Sequence, residues 1–296
     1  MRVFLYTSFA LVAFAFNSIL CRLALRGDEA DAVGFTAVRL LSGAIALVVI
    51  WYVVGRVRSP HVCKGSTGDE DALTHVRATD TGSWSSAIFL FAYAICFSFA
   101  YLGLTAGTGA LILFGSVQMT MIVVTLFRGD RPPILEWLGL ITAVGGLVYL
   151  VFPGLASPPL TSSLLMAAAG ASWGIYTLRG RGSTDPLGQT TGNFIRTLPF
   201  AAVIAVIFLP NLHLSTRGIT LAVLSGAVTS GIGYTVWYAS LKHHTATRAA
   251  VLQLAVPVIT AMIGVLLLAE TADIRLVIAA ALILGGIALT IFGKRS

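Results

Sequence analysis

The chain of 296 residues is 57% hydrophobic and only 10% charged, with a formal net charge of +7 and a mean hydropathy of +0.90. A soluble domain carries about 25% charged residues, so a soluble globule is excluded, as is disorder, which needs low hydrophobicity. What remains is a multi-span membrane protein whose surplus Lys and Arg set orientation and do not form a nucleic-acid surface.

Ten apolar runs follow in chain order, at 4–23, 33–54, 84–104, 106–127, 133–152, 159–178, 191–209, 218–241, 246–268 and 271–292. Ten spans of roughly 20 residues need about 200 residues, which leaves short loops and no room for a long hydrophilic domain. All are expected to be helices, because an open sheet would leave backbone groups unpaired in hydrocarbon. The fold class is therefore all-α integral membrane. The first run reads as a span and not as a signal peptide, since it is long, lacks a small-residue cleavage site and is closed by Arg22 and Arg26. Cys21, Cys63 and Cys96 have no metal-ligand spacing and predict no disulfide framework.

The 19 Lys and Arg residues test this count. With the N-terminus inside, 13 fall in inner segments, 4 in outer segments (Arg22, Arg26, Arg217, Arg275), and Arg39 and Arg196 fall within spans. That bias is what the positive-inside rule predicts for ten spans with both termini cytoplasmic. The polar loop 55–83 holds Asp69-Glu70-Asp71 and is expected in the cytoplasm.

The chain also repeats itself. A shift of 140 residues aligns 105–150 with 245–290 at eight identities in 46 positions, with Asp130 meeting Glu270 and Gly145-Gly146 meeting Gly285-Gly286. A shift of 157 pairs Arg39 with Arg196. The expected halves, 1–152 and 159–296, hold five spans each, and an odd number forces opposite orientations. Inverted repeats mark secondary transporters, with the substrate site near the midplane at the repeat interface.

Several segments resemble the drug/metabolite transporter superfamily in its ten-span EamA-type branch. Phe14-Ala-Phe-Asn17-Ser is similar to the family's first-span Trp-Gly-Ser-Asn-type motif, with Phe14 where Trp is usual. Ala37-Val-Arg39 resembles the second-span Arg motif. Tyr238-Ala-Ser-Leu-Lys242, Ala249-Ala250, Pro257, Glu270 and Gly285-Gly286 resemble the pattern of the last three spans. In the first half Val117 replaces the proline and Asp130 the glutamate. The resemblance implies export of amino acids or other metabolites, and its YddG-type subgroup exports aromatic amino acids.

Polar and aromatic residues inside spans are few, and buried polar groups in lipid tend to face a cavity or a partner helix. The candidates for substrate binding are Asn17 and Ser18 in span 1; Tyr93, Phe97 and Tyr101 in span 3; Gln118 in span 4; Trp173 and Tyr176 in span 6; Tyr234, Trp237 and Tyr238 in span 8; and Gln253 and Thr260 in span 9. In span 8, Ser230, Tyr234, Trp237 and Tyr238 share one helical face; in span 9, Gln253, Pro257 and Thr260 do so. One reading makes these the walls of a cavity between spans 1, 3, 4, 6, 8 and 9. The other makes them interhelical hydrogen bonds and interfacial aromatic belts. Arg39 and Arg196 are expected near opposite membrane faces, either snorkelling to headgroups or acting as gate or carboxylate-steering residues. Gly103, Gly107, Gly109, Gly226, Gly231 and Gly233 read equally as hinges or as packing surfaces.

No Asp or Glu lies mid-span, and His243 and His244 fall at a helix end. A proton-coupled cation exporter normally needs a buried carboxylate, so facilitated diffusion or exchange is expected, without obligatory proton exchange. An intramembrane enzyme would need clustered His, Asp or Glu at depth, and ATP-driven pumping a phosphate-cradling loop; neither pattern is present. A receptor or scaffold leaves the repeat unexplained. The expected function is a secondary transporter exporting small metabolites, amino acids above all, with a multidrug or organic-cation exporter as the alternative. No cofactor, nucleic acid or obligate protein partner is expected; the partners are a small-molecule substrate and the bilayer of the plasma (inner) membrane.

Overall fold

The computed structural model describes residues 2–58, 82–127, 134–152, 157–180, 183–241 and 252–293. Asp130, Lys242, His243, His244, Ala249-Ala250, Cys63 and most of the 55–83 loop lie outside the described residues. Each apolar run is occupied by a helix: α1 (Arg2–Arg26), α2 (Ala32–Arg58), α3 (Trp84–Ala100), α4 (Ala106–Phe127), α5 (Ile134–Val151), α6 (Leu160–Gly180), α7 (Pro186–Ile207), α9 (Ala255–Leu268) and α10 (Ile274–Gly293). The eighth run forms α8 from three continuous pieces: α-helical Thr216–Val223, π-helical Leu224–Ile232 and α-helical Gly233–Leu241. Among the described residues five helical segments are long and apolar enough to cross a membrane, and four shorter ones are apolar. The protein is an all-helical, multi-pass membrane protein.

Local chemistry explains where helices start. Asp31 Oδ1 accepts from the Val33 and Gly34 amides and caps α2. Ser83 Oγ accepts from Ser86 N at the start of α3, and Ser215 Oγ from Gly218 N at the start of α8. These are N-cap bonds that satisfy otherwise orphaned amides. The seventh helix begins five residues before the apolar run at 191. Asp185 caps it through Gly188 N, and Pro186 occupies the first turn, a start signal that hydropathy alone passes over. Conversely α3 stops at Ala100, four residues short of the run.

Helix pairing is systematic. α1 packs on α8 and α9, α6 on α3 and α4, α2 on α7 and α8, α3 on α7, and α5 on α10. Replacing each helix by the one five places on turns the α6 pairings into the α1 pairings and α2–α8 into α7–α3. At one end the α1–α2 loop joins the α7–α8 loop: Asp31 N donates to His213 O and Ser215 N to Glu29 O, with Arg217 on Glu29 at 3.4 Å.

The α5–α10 pair stands on glycine. A Cβ on Gly286 would fall 2.5 Å from Gly139 O and 2.6 Å from Ala143 N, whereas one on Gly285 would meet nothing within 4 Å. The two neighbours should therefore respond in opposite ways to one methyl group. Gly286→Ala is expected to destabilise the protein by about 1–3 kcal/mol through overpacking. Gly285→Ala should be neutral or stabilising by up to about 1 kcal/mol through helix propensity. Thermal unfolding of the detergent-solubilised variants separates the two; equal behaviour would refute the close approach.

Candidate functional site

One cavity lies between α1, α3, α4, α6 and α8 and the residues just before α9. It is lined by Phe14, Asn17, Ser18, Tyr93, Phe97, Leu113, Phe114, Trp173, Thr229, Tyr234 and Gln253 around a free volume of only ≈ 30 Å³, far below the ~300–1,000 Å³ of ligand pockets, so its walls stand nearly closed on one another. Its wall is aromatic. The Trp173 ring lies 4.9 Å from Tyr93, 5.1 Å from Tyr234 and 5.4 Å from Tyr176. Phe14 meets Tyr234 edge-on at 5.7 Å. Such offset and edge contacts are the favoured geometries for rings and fix the shape of the wall.

The polar side of the cavity centres on Asn17. Its Nδ2 donates to Tyr93 OH at 3.3 Å, and its Oδ1 accepts from Ser225 Oγ at 2.6 Å and Thr229 Oγ1 at 3.2 Å. Both donors belong to the π-helical stretch of α8. The wider π turn makes residues five apart neighbours, so Thr229 and Tyr234 reach the cavity together. An α-helical reading instead groups Ser230 with Tyr234; the structure buries Ser230 with its Oγ unpartnered among the described residues. Gly226 allows this stretch to lie against α2, since a Cβ there would collide with Arg39 O.

Of the candidate substrate-binding residues, Asn17, Ser18, Tyr93, Phe97, Trp173, Tyr234 and Gln253 line this cavity. The others sit elsewhere. Trp237 is buried behind the wall, with its ring 5.8 Å from Phe14. Tyr176 stacks behind Trp173 and accepts from Asn193 Nδ2 at 3.4 Å. Tyr101 donates from its hydroxyl to Ala106 O at 3.4 Å at the end of α3. Gln118 and Thr260 are buried, with Nε2 and Oγ1 unpartnered among the described residues. Gln253 lies in a short helical turn just before α9, which begins at Ala255 after Leu254. The side chain of Tyr238 lies outside the described residues. Phe14, Leu113, Phe114 and Thr229 were not among the candidates; only the aromatic character of Phe14 at the first-span motif position signalled it.

The two intramembrane arginines differ. Arg39 is not snorkelling: it is buried, with Nη2 donating to Tyr93 OH at 3.1 Å and Cζ 5.3 Å and 5.0 Å from the Tyr93 and Phe97 ring centroids. Arg196 is half-buried. Its Nη1 donates to Gly192 O of its own helix at 3.0 Å, and its Cζ lies 6.0 Å from the Trp84 ring. Reaching back one turn to a carbonyl and an end-of-helix tryptophan is snorkelling behaviour. Because α7 starts at Pro186, Arg196 is also deeper along its helix than the apolar run implies.

Side chains cross-link both ends of the bundle. At the C-terminal end of α1, Arg22 Nε pairs with Glu270 Oε1 at 3.3 Å, and Arg22 Nη1 donates to Tyr101 O at 2.8 Å. Glu270 Oε2 accepts from Ala106 N at 2.8 Å, and Arg26 Nη1 donates to Leu268 O at 2.6 Å. One network thus ties α1, α3, α4 and α9. At the opposite end Ser83 N donates to Asn193 Oδ1 at 2.8 Å, and Arg179 donates to Ser85 and Ser86. The glycines at 103, 107 and 109 each have a neighbour closer than 3.4 Å to an added Cβ. Their role here is close packing. Among the described residues no group of three His, Cys, Asp or Glu side chains could hold a metal ion.

Residues 160–292 match the EamA-like transporter family. The chain is 46% identical to an uncharacterized protein of Pseudomonas aeruginosa over 97% of its own length and 94% of that protein. The second half of the chain carries an EamA-like transporter family domain. The chain is also 26% identical to an uncharacterized transporter of Archaeoglobus fulgidus over 68% of its length and 74% of that protein. A solved crystal structure shares the fold, with a TM-score of 0.63 at 18% identity over 98% of this chain and 97% of its own. The protein is therefore a membrane transporter for a small molecule, and its central aromatic cavity is the candidate place for that molecule.

Proposed function

We propose that this transporter exports amino acids with aromatic or apolar side chains across the plasma (inner) membrane. It works by alternating access between two inverted five-helix halves, 1–152 and 159–296, with ten spans and both termini in the cytoplasm. The observation that carries the substrate reading is the wall of Phe14, Tyr93, Phe97, Trp173 and Tyr234, faced by the amides and hydroxyls of Asn17, Ser18, Thr229 and Gln253. Aromatic faces take an apolar side chain, while a few placed polar groups orient a zwitterionic head. The interchange of helix pairings five places apart and the repeated landmarks of the sequence support the inverted halves.

The solute gradient drives net transport. No carboxylate lines the cavity among the described residues, and guanidinium groups stay protonated. Counterflow with purified protein in liposomes tests both statements. Labelled phenylalanine should exchange at equal pH on the two sides, and an imposed pH step should not concentrate it. Uphill accumulation driven by that step would overturn the energetic reading; exchange of organic cations but no amino acid would overturn the substrate reading.

A further inference from the structure

We propose that the cavity selects solutes by an anionic group, a carboxylate above all, held at its Tyr93–Asn17 edge with Arg39 as the countercharge, and that the solute's ammonium group is dispensable. This rests on the reading of the cavity as the substrate site and narrows it to a chemical class. The observation is a buried, permanent positive charge with no carboxylate paired to it among the described residues. Arg39 is buried, its ionisable neighbours are Tyr93, Tyr234 and Cys21, and the carboxylates that form ion pairs among the described residues belong to Arg22 and Arg217. A guanidinium inside a membrane protein normally pairs with an acid or with backbone carbonyls, because an uncompensated buried charge is costly. Here one nitrogen, Nη2, reaches Tyr93 OH, and Nη1 has no hydrogen-bond partner among the described residues.

The tyrosine completes the argument. Tyr93 OH accepts from both Arg39 Nη2 and Asn17 Nδ2. Both acceptor positions of that oxygen are then used, and its own proton is left to donate. Tyr93 lines the cavity and Arg39 lies directly behind it, against the Tyr93 and Phe97 rings. One free donor, the Tyr93 hydroxyl, polarised by the guanidinium behind it, therefore stands at one edge of an aromatic chamber, while the unpartnered Arg39 Nη1 is buried behind that edge. An anionic head group supplies the missing acceptor, and the rings hold the apolar remainder. Among the described residues no acid lines the chamber to hold an ammonium. Arg196, which Arg39 matches at a shift of 157, has its Nη1 on the Gly192 carbonyl instead.

The test is competition against labelled L-phenylalanine in proteoliposome counterflow, together with ligand-induced thermal shifts of the purified protein. The competitors are 3-phenylpropionate (carboxylate only), phenethylamine (ammonium only) and L-phenylalaninamide. The carboxylate-only compound should compete within about threefold of phenylalanine. The two compounds lacking a carboxylate should be weaker by about 30-fold or more, the scale expected when a buried charge loses its partner. Arg39→Gln should collapse that discrimination, while Arg39→Lys keeps part of it. Phenethylamine competing as well as phenylalanine would overturn the proposal, as would unchanged discrimination in a folded Arg39→Gln protein. If that variant does not fold, the competitor series on the unmodified protein still decides. Transport or binding of 3-phenylpropionate without phenylalanine would sustain the anion site and refute the amino-acid reading. If no aromatic or aliphatic carboxylate binds or is carried, the anion site falls.

Discussion

Trp173→Ala is expected to lower the initial rate of solute exchange by at least tenfold, an effect of about 1.4 kcal/mol or more on the transport step. The indole meets three tyrosine rings, Tyr93, Tyr176 and Tyr234, at centroid distances between 4.9 and 5.4 Å. Each aromatic pair contributes about 0.5–1.5 kcal/mol beyond area burial, and two of those partners also line the cavity. Removing the indole therefore enlarges the chamber and releases both tyrosines that flank it. Trp173→Phe keeps a ring at the same place and should retain most of the activity. Trp137→Ala, on the lipid-facing surface of α5 where Trp137 is 47% exposed, should leave exchange within about twofold of the unmodified rate, as surface changes outside packed contacts usually do. A Trp173→Ala protein that elutes as a folded species and exchanges solute normally would move the cavity away from this ring.

Glu270→Gln is expected to open the Arg22 end of the bundle. The two side chains are only 14% and 7% exposed, and their 3.3 Å pair is the ionic contact in a network that also holds Tyr101 O and Ala106 N. Removing one member of a nearly buried pair costs about 3–5 kcal/mol, because the other charge is left uncompensated. That cost falls on the conformation in which this end is shut, so the closed state should lose population. A single cysteine placed at Ser18, on a background in which Cys21, Cys63 and Cys96 are replaced, reports the change. In the proposed orientation, its labelling by a membrane-impermeant thiol reagent from outside the cell should rise by about tenfold or more in Glu270→Gln, since about 1.4 kcal/mol corresponds to a factor of ten. Unchanged labelling, with protein correctly inserted, would make the network a static brace.

Much of this molecule is legible in its sequence, for a local reason. Membrane insertion depends on summed side-chain hydropathy, which needs no knowledge of neighbours, so a helix among the described residues lies in each apolar run. Ends are less legible, because the Asp185 cap and Pro186 start α7 inside a polar stretch. Seven cavity residues were also legible as polar or aromatic side chains stranded in apolar runs, a cost that demands a partner wherever it falls.

The tertiary structure decided what periodicity could not. A 3.6-residue period places Ser230 beside Tyr234; the π-helical stretch Leu224–Ile232 brings Thr229 and Ser225 round to Asn17 instead. Composition makes Trp173 and Trp237 equal candidates, and only packing sets one into the wall and the other behind Phe14. Depth along α2 suggests a snorkelling Arg39; the fold turns it inward onto Tyr93. Arg22 and Glu270 meet across 248 residues of chain, a pairing that no local pattern encodes. Hydropathy is a property of each segment and survives being read alone, whereas hydrogen-bond and charge partners exist only after helices from both halves of the chain have been brought together.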